Sequence, residues 1–108
     1  MTTVKLIKTD GNIVGFEVSG HSGYAESGSD IVCAAITSAV TLVETIINDS
    51  FSAGADVTVN PEAAEITLMM NKRCEVCCSV LEAFGRQMRA LCEEYPKYIK
   101  LLEVQSNA

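Results

Sequence analysis

The stretch Asp30–Phe51, "DIVCAAITSAVTLVETIINDSF", contains neither glycine nor proline and sets Ile31, Ala35, Ala39, Leu42, Val43 and Ile46 at helical spacing. A helix so apolar on nearly every side is either deeply buried or meets another subunit along part of its length. In both cases it demands a second layer to cover it, and the flanking segments supply one. Before it, "VKLIKTDGNIVGFEVSG" alternates Val4, Leu6 and then Val14, Phe16, Val18 with other residues around "TDGN", the pattern of a β-hairpin. After it, "SAGA" ends the helix. A second hairpin is predicted in "DVTVNPEAAEITLMM", from Val57 and Val59 through a turn at "NPE" to Ile66, Leu68 and Met70.

A second helix is predicted from near Asn71 to just before Pro96. Cys74, Cys77, Leu81, Phe84, Met88, Leu91 and Tyr95 follow one another three or four apart, which lays them on one stripe. "KYIKLLEV" closes the pattern as a short strand. The order strand-strand-helix-strand-strand-helix-strand implies an α+β (mixed α/β) fold, two helices packed on a sheet of about five strands. The 108 residues suit a single domain spanning 1–108. No linker, low-complexity segment or fixed-period repeat appears beyond the two hairpin-helix halves.

Composition narrows the function. With 48% hydrophobic residues the chain has material for a real core. Its formal charge of −6 makes nucleic acid a poor partner, since phosphate binding normally needs a basic face. A basic protein partner is compatible with that charge, although solubility alone explains it as well. The opening "MTTVKLIKTDG" lacks the apolar core of a signal peptide. Thr37, Ser38, Thr41, Glu44 and Thr45 interrupt the apolar run Ile31–Ile47, which reads as too polar for a membrane span. A cytoplasmic protein is expected. Its five cysteines, an odd number, do not suggest a disulfide framework.

"CEVCC", residues 74 to 78, invites a metal reading. A zinc site needs a second pair or histidines to complete four ligands, and only Cys92 and the distant His21 are on offer. Placed on the stripe of the second helix, Cys74 and Cys77 read instead as small hydrophobes of the core. No metal or cofactor is expected.

The segment "GHSGYAESGSDIVCAA" carries more chemistry. It holds His21, the sole histidine, and Cys33 at the start of the apolar helix. Ser29 and Asp30 are good N-cap residues, so Cys33 is expected in the first turn, where open N–H groups and the helix dipole favour an anion. A thiol there ionises more readily than its free value of about 8.5. A nearby histidine would take its proton or pair with the thiolate, and the same backbone N–H groups would receive a tetrahedral oxyanion. Asp30 has two readings, orienting His21 as the third member of a triad or capping the helix only. Gly20, Gly23 and Gly28 fit a loop that must move, or simply permit positive φ. From these residues alone a Cys-His hydrolase and a non-catalytic binding or assembly domain both stay open.

"GHSGYAESGSDIVCAAIT" closely resembles the signature of the ribosomal-processing cysteine proteases, the Prp family, above all in "GH" with Gly23 two residues on and in "DIVCAA". The resemblance extends over essentially the whole chain. It implies a cysteine endopeptidase that removes the N-terminal leader of large-ribosomal-subunit protein number twenty-seven, with Cys33 as nucleophile and His21 as proton donor and acceptor. It further implies a homodimer, a ribosomal protein precursor as substrate, and a hydrophobic groove beside Cys33, since family members cleave after an aromatic residue. Tyr24 and Ser38 are candidates for that groove. The rival is a non-enzymatic ribosome-assembly or interaction protein, for which His21 and Cys33 would be dispensable and a basic surface would be expected.

Overall fold

The structure is a computed structural model describing residues 1–20 and 27–106, with only the backbone described for 27–30. Strands β1 (Thr2–Thr9) and β2 (Asn12–Ser19) form the first hairpin, and helix α1 (Ser27–Glu44) follows, continued by one π-helical turn over Thr45–Ser50. Strands β3 (Asp56–Asn60) and β4 (Glu65–Met69), helix α2 (Glu75–Glu94) and strand β5 (Ile99–Gln105) complete the chain. The five strands form one sheet in the order β3-β4-β2-β1-β5. All neighbours are antiparallel except β1 and β5, whose parallel pairing follows the crossover through α2. This is the α+β architecture expected from the sequence.

Local chemistry explains the turns. In the first hairpin Asp10 and Gly11 both take positive φ, 52° and 83°, as a two-residue turn matched to strand twist requires. Alternation does the rest: Val4 and Leu6 pair with Val18 and Phe16 and face inward with Leu68 of β4. Phe16 stacks on Phe84 of α2 with ring centroids 4.3 Å apart. Gly85 lets α2 lie close on the sheet, because a Cβ there would sit 2.9 Å from the Ile13 side chain. Cys77, Leu81, Phe84, Met88 and Leu91 are the buried stripe of α2, as its spacing predicted.

Three expectations need correction. First, α2 starts at Glu75 rather than near Asn71, so Cys74 is its N-cap and precedes the helical stripe, though it still packs, half-buried, against the core. The chain bends at Asn71 and Lys72 after β4, and Cys74 is extended, with φ −145° and ψ 110°. Secondly, α1 buries Val32, Ile36, Val40 and Val43, with Ile47 beyond it, while Ile31 is 56% and Leu42 60% exposed. The buried face is thus turned by about one residue, which an all-round apolar sequence does not specify. Thirdly, Ile31–Ser50 is long and apolar enough, by length and composition, to cross a membrane, despite its threonines and serines. Here its buried residues share the core with the sheet and α2.

Candidate active site

Helix α1 begins at Ser27, ahead of both expected caps, Ser29 and Asp30. Once the apolar turns are packed, each further residue adds a hydrogen bond at little cost, so the helix runs back through the serines. Asp30 therefore lies within the first turn and is not the cap, and its side chain falls outside the described residues. Gly28 is helical and does not belong to a loop. Cys33 becomes the seventh residue of α1, beyond the four N–H groups that a helix end leaves open and beyond the first turn, where the dipole acts most. Its own N–H, expected as an oxyanion donor, has no such opening in this helix. His21, Gly23 and Tyr24 lie outside the described residues.

What the structure does fix is the setting of Cys33. The side chain follows the buried Val32 and sits half-buried at the edge of the core as a free thiol. Its Sγ is 3.9 Å from Oγ1 of Thr2, at the start of β1. Thr2 is 5% exposed, and its hydroxyl donates to the Gly20 carbonyl at 3.4 Å. A single threonine thus links the thiol to the residue immediately before His21. Sequence reasoning missed Thr2, because no pattern distinguishes it from any other strand threonine.

Gly20 is held from a second side, its N–H donating to the Ala64 carbonyl in the β3–β4 turn at 3.1 Å. Its φ of +82° is one that other residues adopt at a cost, and a Cβ there would lie 2.9 Å from the Met1 carbonyl oxygen. Of the three loop glycines this one has a conformational need that the structure shows.

Cys33 and Thr2 open onto a cavity of about 290 Å³ between α1 and the second hairpin. Its walls are mainly apolar, with Val18, Ile36, Val59 and Ile66 prominent and Asn60 and Glu65 at the β3–β4 end. A shallower groove runs from Cys33 along the outer side of α1 past Ser38 to Leu42 and Thr45. Cys33 and Thr37 border both. The geometry offers a partly accessible sulfur at the junction of two apolar depressions, suited to an extended chain with bulky side chains. Among the described residues no group of three or more His, Cys, Asp or Glu could hold a metal ion.

The comparisons agree with this reading of the fold. The family described as "Cysteine protease Prp" matches residues 1–100. SMU.848 from Streptococcus mutans has a similar crystal structure, with TM-score 0.88 and 20% identity over 98% of this chain and 96% of that one. The ribosomal processing protease Prp from S. aureus in complex with a substrate peptide superposes with TM-score 0.87 and 21% identity, over 96% of this chain and all (100%) of that one. The same S. aureus protease with a covalently linked product peptide gives TM-score 0.84 and 22% identity, over the same 96% and 100%. No curated protein matches the chain in sequence.

Proposed function

Because the chain belongs to the cysteine protease Prp family, and so is a cysteine protease, we propose that Cys33 is its nucleophile, His21 its acid and base, and a ribosomal protein precursor its substrate. The observation that carries this reading is the Thr2 bridge, which brings the residue before His21 to within one side chain of the Cys33 thiol. In the proposed reaction the Cys33 thiolate, its proton taken by His21, attacks the scissile carbonyl carbon. The imidazolium then protonates the leaving amine, the C–N bond breaks, and an acyl-cysteine remains. Water activated by His21 attacks that thioester and restores the thiol. The covalently linked product peptide of the S. aureus protease supports a covalent route of this kind.

The cavity beside Cys33 is where the residues before the cut would lie. Its apolar walls suit an aromatic side chain, and the substrate is inferred to be the leader of large-ribosomal-subunit protein number twenty-seven. Incubating the pure protein with that leader-bearing precursor and reading the products by mass spectrometry tests the proposal. One new N-terminus is expected with wild type and none with Cys33→Ala, a change that suits a helix. Cleavage by the variant would overturn the role of Cys33, and an intact precursor with wild type would overturn the substrate.

Two companion readings belong here. The exposed Ile31 and Leu42 give α1 an apolar surface outside the core, and we infer that a second copy covers it in a homodimer. The cytoplasm is the inferred location, where a newly made ribosomal protein would meet the enzyme, without membrane or nucleic acid as partner.

A further inference from the structure

The cysteine-rich start of α2 carries chemistry that proteolysis does not use. Cys74 and Cys78 line a cavity of about 310 Å³ with Asp10, Lys72 and Arg73, at the turn end of the first hairpin. Thr2, which marks the Cys33 end, is separated from that turn by the eight-residue length of β1, about 23 Å at the usual strand rise. Cys74, half-buried, is the N-cap of α2, and its sulfur accepts the Cys77 N–H at 3.3 Å. Cys77, one turn on in the same helix, is fully buried, and its backbone N–H ties it to the Cys74 sulfur.

The two sulfurs are unequal. Hydrogen bonds from the Cys77 side chain and then its N–H draw the Cys74 thiol below its ordinary value. Burial first, then the bond to Cys74, pushes Cys77 up to about 11. Lys72 and Arg73 also bring cations to the rim of the Cys74 cavity. An accessible, readily ionised thiol backed by a buried, protonated one is the arrangement of a reacting and a resolving cysteine.

We propose that Cys74 and Cys77 are a second reactive site, a dithiol oxidised to an intrachain disulfide by a peroxide. The Cys74 thiolate attacks one peroxide oxygen, the O–O bond breaks, and the departing hydroxide takes a proton to become water. The Cys74 sulfenic acid so formed is attacked by the Cys77 sulfur. The S–S bond forms as the S–O bond breaks, and the hydroxide leaves as water with the Cys77 proton. Two thiols have lost two electrons, and one peroxide has become two waters. N-cap and N3 are neighbours on one turn, and the extended backbone of Cys74 at the helix end leaves room for the two Cβ atoms to close to the roughly 3.5–4.5 Å that the bond requires. Cys77 needs no solvent access, because its target lies within the same turn.

The test uses the full chain, reduced and then treated with a small excess of hydrogen peroxide. Free thiols are blocked, and the tryptic peptide Cys74–Arg86, which holds Cys74, Cys77 and Cys78, is sequenced by mass spectrometry. In wild type and in Cys78→Ser the peptide should have lost two hydrogens, with Cys74 and Cys77 protected from the blocking agent and released by reductant. Cys74→Ser should give no bond. Because Cys77→Ala opens a hole in the core, wild type and Cys78→Ser carry the decision. A Cys74–Cys78 bond overturns the proposal. So does oxidation of Cys33 while Cys74, Cys77 and Cys78 remain free.

Discussion

Gly20→Ala is a substitution whose cost the geometry fixes closely. Gly20 sits at φ +82°, a region that costs an L-residue roughly 1–2 kcal/mol. An added Cβ would also lie 2.9 Å from the Met1 carbonyl oxygen, so that backbone must shift. Retreat is difficult, because Thr2 is tied to β5 through its N–H, which donates to the Tyr98 carbonyl at 2.9 Å. Forced overpacking of this kind adds about 1–3 kcal/mol. Gly11→Ala separates the two contributions, since Gly11 has nearly the same φ, +83°, with nothing within 4 Å of its Cβ position. The gain from a stiffer unfolded chain, about 0.4–1 kcal/mol, is common to both and cancels in the difference. At roughly 4–8 °C per kcal/mol for a small domain, Gly20→Ala should melt at least about 4 °C below Gly11→Ala in calorimetry. Cleavage measured far below either midpoint should fall for Gly20→Ala only, because its carbonyl accepts the Thr2 hydroxyl and His21 follows it. Equal melting temperatures, or equal activities, would refute the close-contact argument.

Three other outcomes follow from the same geometry. His21→Ala should slow leader cleavage by about 10²- to 10⁴-fold, the range for a positioned acid and base, and an unchanged rate would remove the dyad. Thr2→Val, nearly isosteric, should change stability by no more than about 1.5 kcal/mol but lower kcat/KM by about tenfold, with recovery in Thr2→Ser. The alkylation rate of Cys33 in these two variants tells a positioning role from a packing one, since only positioning makes it follow the hydroxyl. Leu42→Glu, at an exposed site on α1, should leave each chain folded and turn a dimer into a monomer by light scattering, whereas a wild type already at the 11.6 kDa of one chain would dismiss the subunit contact.

The fold was legible where periodicity and turn chemistry point the same way. The Asp10–Gly11 turn, the alternation of Val4 and Leu6 against Phe16 and Val18, and the stripe from Cys77 to Leu91 each leave one solution. Legibility ended where a segment is apolar on all sides. In α1 the choice between Ile31-Ala35-Leu42 and Val32-Ile36-Val43 as the inner face is made by the sheet and α2 beneath it, which no local pattern encodes. The same holds for the cavity by Cys33. Its walls come from Val18, Ile36, Val59 and Ile66 on four separate elements, and they meet only because β4 pairs with β2.

At the site, residue type was legible and neighbourhood was not. Cys33 stood out in the sequence as a thiol opening an apolar helix, yet its helix begins at Ser27, so the helix end that was to activate it lies more than a turn away. Cys74 looked like core filling, because three-residue spacing to Cys77 is the same for a stripe and for an N-cap followed by N3. The structure therefore moves the helix-start setting from Cys33 to Cys74, and it gives Cys33 a different neighbour, the Thr2 hydroxyl. These settings suit different reactions. A peptide nucleophile needs a cleft for the chain and a base within reach, and Cys33 has the cleft and a link through Thr2 to Gly20, the residue before the proposed base His21. A thiol that reacts with a small oxidant needs eased ionisation and a second sulfur nearby, and at the far end of β1 Cys74 is drawn below its ordinary value with Cys77 one turn on. Alkylation with a limiting reagent is therefore a poor way to find the catalytic cysteine on its own, since Cys74 competes for it. Cleavage should be lost in step with label on Cys33 and be insensitive to label on Cys74, and loss of activity that tracks Cys74 instead would show that the two ends of the sheet are coupled.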